Sequence, residues 1–541
     1  MPESAPEAQE FAKAFRTFLD WINSTYRDDR SEVSALVQRF VGKDAAAHSV
    51  ISRELPVFEH VNLQTALDAW SATPGRTVEV HGIAVPPHFG GVALHQIFSG
   101  DGLPRLRLSA PALTDLPNSP DSTLGCLRLA VLLVSDNAGR YVILVQGPGE
   151  HHPSLEVEIA GLPVAAAQEV LGELDRLRSE LNVYRGHLLD VALTQFGGIC
   201  LSFARPPTLH RDDVVLPEAV LSRVERHALG VAVHRAALLA AGQHLKRGLL
   251  LYGPPGTGKT HTTRYLVGHM TDYTRLVLTG RTLGAIGAIT EMARSLQPAV
   301  VVLEDVDLVA EDRSMGPRSS PVLFELLDAM DGAAPDADLL FLLTTNRADL
   351  LEPALAARPG RVDVAVEIAL PDAAARERLL ALYGRGVPLE LTSEDIATAI
   401  ERTDGVTASF LKELIRRSVL EALHDTPAKQ DAQAPPDGQV PPDAQAPLDA
   451  QARQDGQVPP DAQAPLDGQP GPATQAVPTV TGAHVSRALD DLLDAAQGVT
   501  RTLLGVGVDP TTLSAPGIGP NPAMLTARRR AMARSGSFWF G

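Results

Sequence analysis

The sequence contains little cysteine: Cys126 and Cys200 are the only two among 541 residues. Two cysteines cannot build a disulfide framework or a cysteine-rich metal cluster, so two buried thiols in a reducing compartment are the expected state. Long apolar runs are also missing, since no uninterrupted stretch approaches the ~20 residues that a membrane-spanning helix needs. The first residues are acidic and polar, which is not the pattern of a signal peptide. These absences predict a cytoplasmic protein without a membrane span.

An excess of positive charge is missing as well. The chain has 47 Lys and Arg residues against 65 Asp and Glu residues, which gives a formal net charge of −18. This balance disfavours a general nucleic-acid-binding surface. Residues 431–472 contribute a third of the net negative charge. They consist of seven hexapeptides, such as DAQAPP and DGQVPP, which contain seven Asp residues and a single basic residue, Arg453. The repeat has too few apolar side chains to form a core, so it predicts a disordered segment.

Residues 1–205 have the mixed pattern of an α/β domain. Helical spacing dominates up to about residue 55, and Phe11, Phe15 and Phe18 are part of it. Three strands and one long helix are expected further on, over 77–81, 127–134, 141–145 and 164–192. No motif in this part indicates a reaction, so partner recognition is its predicted role.

The remainder of the chain divides by composition, and its length fits roughly two or three domains in all. Residues 206–372 alternate strands and helices, which predicts a parallel sheet. The strands are expected at 248–252, 275–278, 299–303, 339–344 and 364–368. Residues 373–430 and 480–500 have helical patterns. The tail 501–541 is predicted to be flexible and basic, and could contact nucleic acid, a membrane or a neighbouring subunit, or simply be frayed.

The most informative stretch is GPPGTGKT at 253–260, between an apolar strand and a predicted helix. Its glycines allow backbone N–H groups to turn inward around phosphates, and the helix N-terminus adds a partial positive charge. Lys259 is expected to reach the β- and γ-phosphates, and the Thr260 hydroxyl to bind Mg²⁺. The predicted nucleotide-binding residues are Gly253, Pro254, Pro255, Gly256, Thr257, Gly258, Lys259, Thr260 and His261.

Two later strands end in polar residues. The strand at 299–303 is followed by Glu304 and Asp305. Placed beside the strand that precedes the glycine loop, these acids would lie at the carboxyl edge of a parallel sheet, where ligands bind. One acid is expected to hold Mg²⁺ and the next to orient or deprotonate the attacking water. Asn346, after 339–344, could hydrogen-bond the γ-phosphate or that water. A solvated turn is the alternative reading of both strand ends.

Two arginines, Arg358 and Arg361, bracket a Pro-Gly pair. The turn that this pair forces makes them project stiffly. They could stabilise transition-state charge on a γ-phosphate bound by a neighbouring subunit, or they could form an ordinary surface salt bridge.

Together these motifs resemble the AAA family of ATPases. The resemblance covers about 208–425 and resumes at 480–496. It implies the fold class: an α/β P-loop NTPase parallel sheet with a small helical lid, preceded here by the mixed α/β N-terminal domain. Four segments are similar in order and spacing to Walker A, Walker B, sensor 1 and the second region of homology: GPPGTGKT, the strand ending in Glu304-Asp305, Thr344-Thr345-Asn346-Arg347 and LEPALAARPGRVD.

The resemblance also implies residue roles and assembly. ATP and Mg²⁺ are the implied cofactors, and a ring, usually a hexamer, is the implied homo-oligomer. Arg358 and Arg361 would act as arginine fingers on a neighbouring subunit's nucleotide. Val214 and Val215 lie in a segment similar to the one that lines the adenine pocket. Family lids end in a helix that 480–489 resembles, so the hexapeptide repeat is predicted to be an insertion inside the lid.

Two features depart from the family pattern. The Walker B strand usually ends in Asp-Glu, whereas the order Glu304-Asp305 is similar to that of the mitochondrial AAA proteins that help assemble a respiratory complex. Glu304 would then bind Mg²⁺, and Asp305 would be catalytic with its water held closer to the strand. The loop expected at the ring pore has Ala285 where unfoldases carry an aromatic residue.

The sequence therefore predicts a cytoplasmic AAA ATPase that hydrolyses ATP to ADP and phosphate and remodels or disassembles a protein partner. One alternative is a nucleic-acid-associated motor that uses the arginine-rich tail, which a steep salt dependence of DNA affinity would reveal. The other is a nucleotide-gated scaffold that barely turns over.

Overall fold

The computed structural model describes residues 31–42, 49–85, 91–99, 106–149, 152–194, 198–278, 280–307, 337–347, 362–425 and 478–494, with several positions between 10 and 21. Two compact units are present: one contains 1–254 and 258–369, and the other contains 255–257 and 370–541. The hexapeptide repeat and the basic tail lie outside the described residues. Within the described residues, no helix has the length and apolar character needed to cross a membrane.

Seven antiparallel strands form the first sheet of the larger unit. They are β1 (Ile51–Leu55), β2 (Thr77–Ala84), β3 (Arg107–Ser109), β4 (Ala112–Ser119), β5 (Ser122–Asp136), β6 (Gly139–Gln146) and β7 (Leu155–Ala160). Their order is β1-β7-β6-β5-β2-β3, with β4 paired to β5. The strands expected near 77–81, 127–134 and 141–145 are therefore present.

Helices cover both faces of this sheet, which explains the nearly continuous apolar runs of β5 and β6. Alternate side chains of a strand face opposite sides. Leu132 and Ile143 belong to one buried cluster, whereas Val131 and Val142 belong to another. The helices are His60–Ser71 and Val164–Glu180 on the first side, and Glu32–Val41 and Leu94–Ser99 on the second.

The long helix predicted over 164–192 is wrong in its second half. The helix ends at Glu180, and Gly186 turns the chain with a φ of 77°. Strand β8 (Leu188–Leu193) follows and forms a hairpin with β9 (Ile199–Ala204). The short apolar run of β8 fits a strand or a helix equally well, and its pairing with a distant strand decides between them.

The second sheet of the larger unit has the order β14-β10-β13-β12-β11-β8-β9. All of its pairs are parallel except the β8–β9 hairpin. Its other members are β10 (Arg247–Tyr252), β11 (Thr274–Leu278), β12 (Ala299–Leu303), β13 (Leu339–Thr345) and β14 (Val364–Glu367). The five strands expected from the sequence are all present. Because β8 and β9 precede residue 205, this sheet begins before the predicted domain boundary, and the boundaries themselves stay a prediction.

The two sheets of the larger unit share one hydrophobic cluster. Cys126 of β5 lies in the same buried cluster as Leu189 of β8 and Leu303 of β12. Polar contacts reinforce this junction, because the Tyr184 hydroxyl donates to the Phe58 carbonyl oxygen at 2.8 Å. The N-terminal sheet is thus packed against the parallel sheet within a single core.

The smaller unit is mostly helical. Its helices are Ala373–Tyr383, Ser393–Arg402, Ala408–Asp425 and Gly482–Leu493, and its two short parallel strands are Leu389–Glu390 and Val480–Thr481. Asp372 and Thr392 cap the first two helices by accepting hydrogen bonds from Ala375 N and Asp395 N.

The segment after the repeat is an integral part of this helical unit. Val485, Leu489 and Leu492 are buried in it, which is the face expected from the sequence. Arg487 forms ion pairs with Glu421 and Asp425 on the helix that precedes the repeat. The helices on either side of the repeat therefore pack against each other.

Candidate active site

A glycine-rich loop joins β10 to the helix Lys259–His269. Its glycines have φ angles of 145° (Gly253), 78° (Gly256) and 108° (Gly258), in the left-handed region that L side chains rarely adopt. At Gly253 an added Cβ would lie 2.3 Å from the Ile368 carbonyl oxygen. Residues with side chains would therefore disrupt this loop.

The centre of the loop, residues 255–257, groups with the helical unit. Ser409 N donates to the Gly256 carbonyl oxygen at 3.1 Å. An added Cβ on Gly256 would lie 2.9 Å from Ser409 Oγ and 3.1 Å from Thr407 Oγ1. Glycine is thus favoured at this position both by φ and by the close approach of the Ser409 and Thr407 side chains.

Lys259 turns back over the loop that precedes it. Its Nζ donates to the carbonyl oxygens of Gly253 and Pro254, both at 2.9 Å. Burial lowers the pKa of the amine to about 8, an effect partly offset by the charges of Asp305 and Asp307. Carbonyl oxygens are neutral acceptors, so anionic phosphate oxygens would be stronger partners for this buried cation.

The strand that carries the acids does not lie beside the loop strand, so that detail of the prediction is wrong. β13 lies between β10 and β12. The crossover connections of a parallel sheet let strands that follow one another in the chain be separated in the sheet. The acids still reach the same edge, because Asp305 N donates to Thr344 Oγ1 and Val306 N to the Thr344 carbonyl oxygen, both at 3.0 Å.

Asp305 and Asn346 are brought together at this edge. Asn346 Nδ2 donates to Asp305 Oδ1 at 3.4 Å. Asp305 has a φ of 50° and is the sole non-glycine residue in the described part of the chain with a positive φ. Such backbone conformations persist where the surroundings enforce them, and they concentrate at functional sites.

Asp307 is a site residue that the sequence analysis did not assign. It is buried, and its Oδ1 accepts hydrogen bonds from Thr345 Oγ1 at 3.0 Å and from Asn346 N at 3.1 Å. These bonds fix the turn that carries the Asn346 amide. The available signal was an acid two residues after Asp305, but nothing in the pattern indicated its partners.

Glu304 lies at the end of β12, where its backbone N–H donates to the Leu278 carbonyl oxygen at 3.3 Å. Burial raises the pKa of its carboxyl group, Arg264 lowers it, and Asp305 and Asp190 raise it further. A bound cation would relieve this crowding of acids. The Thr260 hydroxyl and the Glu304 carboxylate are the hard oxygen donors that Mg²⁺ prefers, so these residues fit the ion.

The segment predicted to line the adenine pocket lies against the helix that follows the loop. His261 Nε2 donates to the Asp213 carbonyl oxygen at 2.9 Å. Val214 is buried in the cluster that contains Leu266 of that helix, and Val215 is half-buried. His261 therefore ties this segment to the start of the helix, while the nucleotide contacts of all three residues stay predictions.

Two other predicted sites have different outcomes. Arg358 and Arg361 lie outside the described residues. Ala285, at the position expected in the pore loop, ends a short 3₁₀ helix and packs against the buried cluster of the parallel sheet.

Comparisons with known proteins agree with this geometry. The family model described as "ATPase family associated with various cellular activities (AAA)" matches residues 249–370. The "ATP-dependent zinc metalloprotease FtsH 4" of Sphaerobacter thermophilus is 33% identical over 199 residues, which cover 34% of this chain and 30% of that protein. The FtsH of Thermus thermophilus is 32% identical over 198 residues, covering 34% and 31%.

The match is confined to part of each protein: the chain spans less than a third of the length of these relatives. A solved structure, "Crystal structure of FIGL-1 AAA domain", aligns with a TM-score of 0.39 and 18% identity, covering 59% of this chain and 88% of that chain. The residues matched by the family model include the glycine loop and the acidic strand end. The chain therefore contains an AAA-type P-loop ATPase domain, which the family model matches at residues 249–370.

Proposed function

We propose that this chain hydrolyses ATP to ADP and phosphate, and that a homo-oligomeric ring of it, a hexamer, uses the reaction to remodel or disassemble a protein partner. The observation that carries the ATPase proposal is the arrangement at the edge of the parallel sheet. There burial lowers the pKa of the Lys259 amine, and the charges of Asp305 and Asp307 raise it against that lowering. Asn346 is hydrogen-bonded to both acids, through its backbone N–H to Asp307 and through its side-chain amide to Asp305. The ring and the partner rest on family resemblance.

Each residue has a separate task in the proposed reaction. Lys259 exchanges its two carbonyl acceptors for phosphate oxygens of ATP. Asp305 accepts a proton from the attacking water, and the Asn346 amide orients that water. Thr260 and Glu304 would hold Mg²⁺, and the chemistry supplied by this ion is charge neutralisation on the phosphates.

The proposal retains only part of what the names of the relatives state. Those names describe ATP-dependent zinc metalloproteases. This chain contains no His-Glu-x-x-His sequence, the helical motif that binds zinc in such proteases. We therefore propose ATP-driven remodelling for this chain, and we assign partner recognition to the N-terminal sheet, which lies outside the residues that the family model matches.

Replacing the loop lysine tests the ATPase proposal directly. We expect Lys259→Ala to abolish ATP binding, because the phosphates lose their buried cationic partner. Calorimetry of ATP binding is the measurement, and Lys13→Ala, which removes an exposed lysine, is the matched control. Unchanged affinity in Lys259→Ala would contradict the loop assignment. ATP bound by the wild type without measurable turnover would favour the nucleotide-gated scaffold.

The arginines test whether sites form between subunits. We expect Arg358→Ala and Arg361→Ala each to lower ATP turnover by about 1,000-fold while the chain stays folded, because each removes positive charge from the transition state. Arg205→Ala, at an exposed ion pair with Asp121, is the control. Mixing either variant with Lys259→Ala subunits should restore part of the turnover. Failure of complementation in demonstrated mixed rings would show that these arginines do not act across subunits.

A further inference from the structure

A single guanidinium group fastens the turn Arg211–Asp213 to the helix Glu218–Glu225. Arg211 Nη1 and Nη2 donate to the two carboxylate oxygens of Glu218, at 3.2 and 2.7 Å. Its Nε and Nη2 also donate to the two carboxylate oxygens of Glu225, at 3.0 and 3.2 Å. These contacts are paired, because the planar guanidinium fork matches a carboxylate, whereas an ammonium group has no such fork. The turn is therefore held at the first and the last residue of the helix.

Two hydroxyl groups hold these carboxylates in place. Ser222 Oγ donates to Glu218 Oε1 at 2.8 Å. The Tyr265 hydroxyl donates to Glu225 Oε1 at 2.7 Å, and Tyr265 is buried in the helix that follows the glycine loop. An isolated ion pair at the surface contributes little to stability, but several charges in one network with paired geometry contribute more. The network thus connects the turn to the helix that begins at Lys259.

The turn leads into residues 214–216, which lie along the helix after the glycine loop. Val214 is extended, and both Val214 and Leu216 are buried in the cluster beneath that helix. Because side chains alternate along an extended chain, Val215 faces away from this cluster, and it is half-buried. Within the described residues, neither backbone group of Val215 forms a hydrogen bond. Val215 therefore offers a donor and an acceptor to the base of a nucleotide whose phosphates lie in the glycine loop.

We propose that Arg211, through its paired contacts with Glu218 and Glu225, positions residues 213–216 to receive the base of the nucleotide. The inference rests on the proposed ATPase function and adds a determinant of nucleotide affinity to it. Arg211 is a positioning residue, because it acts through this segment and not on the phosphates. A segment that is already held in place loses less conformational freedom when a ligand binds. All three charged residues precede residues 249–370, which the family model matches.

Loss of the paired contacts should affect the base and spare the phosphates. Arg211→Gln should raise the dissociation constant of ATP by about fivefold, the range expected for losing a surface ion-pair network. Its affinity for inorganic triphosphate, which has no base, should stay unchanged. Arg211→Lys should lose nearly as much affinity for ATP, since an ammonium group keeps the charge without the fork. A defect that spread to the glycine loop would instead weaken both ligands.

The test is calorimetry of the full chain with ATP and with inorganic triphosphate, at fixed Mg²⁺ concentration and ionic strength. Arg176→Gln, at an exposed ion pair with Glu180, is the matched control and should bind both ligands as the wild type does. Thermal unfolding of each variant checks that it is folded. Tyr265→Phe removes only the hydroxyl that holds Glu225, and it should show a smaller loss, again confined to ATP. This variant carries the same comparison if Arg211→Gln does not fold.

The outcomes separate this inference from the function on which it rests. A wild-type protein that binds neither ATP nor triphosphate would contradict the proposed ATPase function. Wild-type binding of ATP, with no change in folded Arg211→Gln or with equal losses for the two ligands, would overturn only the role of Arg211. Full ATP affinity in Arg211→Lys would overturn it too, because charge alone would then suffice. A loss confined to ATP in both variants would support it.

Discussion

The Asp305→Asn protein is expected to bind ATP as tightly as the wild type and to hydrolyse it at least about 100-fold more slowly, because an amide cannot accept the proton of the attacking water. The substitution preserves the shape of the side chain, so the contact between residue 305 and Asn346 can persist. Phosphate release measures the rate, and calorimetry measures the affinity. Asp272→Asn, at an exposed turn before β11, is the matched control.

The neighbouring acid should respond differently. Glu304→Gln is expected to weaken binding that depends on Mg²⁺, since a neutral amide is a poorer ligand for a hard cation. If Glu304→Gln stops turnover with ATP still bound, while Asp305→Asn turns over normally, the two roles are reversed. The difference between the variants thus assigns each acid independently of the other.

An Asp305→Asn protein that holds ATP would also test for the protein partner that we propose. Because such a protein cannot complete the cycle, it should retain its partner in the presence of ATP and release it in ADP. Recovery of the same protein in both nucleotides would show that the association does not depend on the cycle.

Ending the chain at residue 430 is expected to unfold the helical unit and abolish ATP turnover. The truncation removes Val480, Val485, Leu489 and Leu492, all of them buried. At about 1.5–3 kcal/mol for each buried side chain, the loss is about 6–12 kcal/mol, comparable to the whole stability of a domain. Limited proteolysis and thermal unfolding measure the loss of this unit.

The matched control for the truncation removes only the repeat. Replacing 431–472 by a short Gly/Ser linker should preserve turnover, because the helices on either side of the repeat are close together. His484 Nε2 and Asp425 Oδ2, which lie on these two helices, are 3.1 Å apart. Each doubling of loop length costs only about 0.6 kcal/mol, so the shorter loop should be slightly more stable. Full turnover and an intact helical unit in the truncated chain would contradict the role assigned to its last helix.

Local signals account for what the sequence predicted well. The glycine loop was predictable because its φ angles demand glycine at Gly253, Gly256 and Gly258, and because a strand and a helix flank it. The five central strands were predictable because each is a short apolar run bounded by polar residues or turn signals. These features depend on residues close together in the chain.

Contacts between residues far apart in the chain account for the features that the sequence analysis did not predict. Asp307 binds Thr345 and Asn346, which lie 38 and 39 residues away, so no local pattern indicates its role. β8 becomes a strand by pairing with β11, which lies more than 80 residues later in the chain. The position of β13 between β10 and β12 is set by crossover connections. The strand order of the parallel sheet therefore does not follow from periodicity.

The cluster shared by Cys126, Leu189 and Leu303 has a consequence for how chains of this kind can diversify. A recombination event near residue 205 would separate β8 and β9 from the sheet they complete and leave apolar side chains facing water. Exchange of the N-terminal part as an independent cassette is therefore disfavoured. With the role in partner recognition that we propose for the first sheet, new preferences are expected to arise by gradual change of its surface loops, with the buried junction kept unchanged.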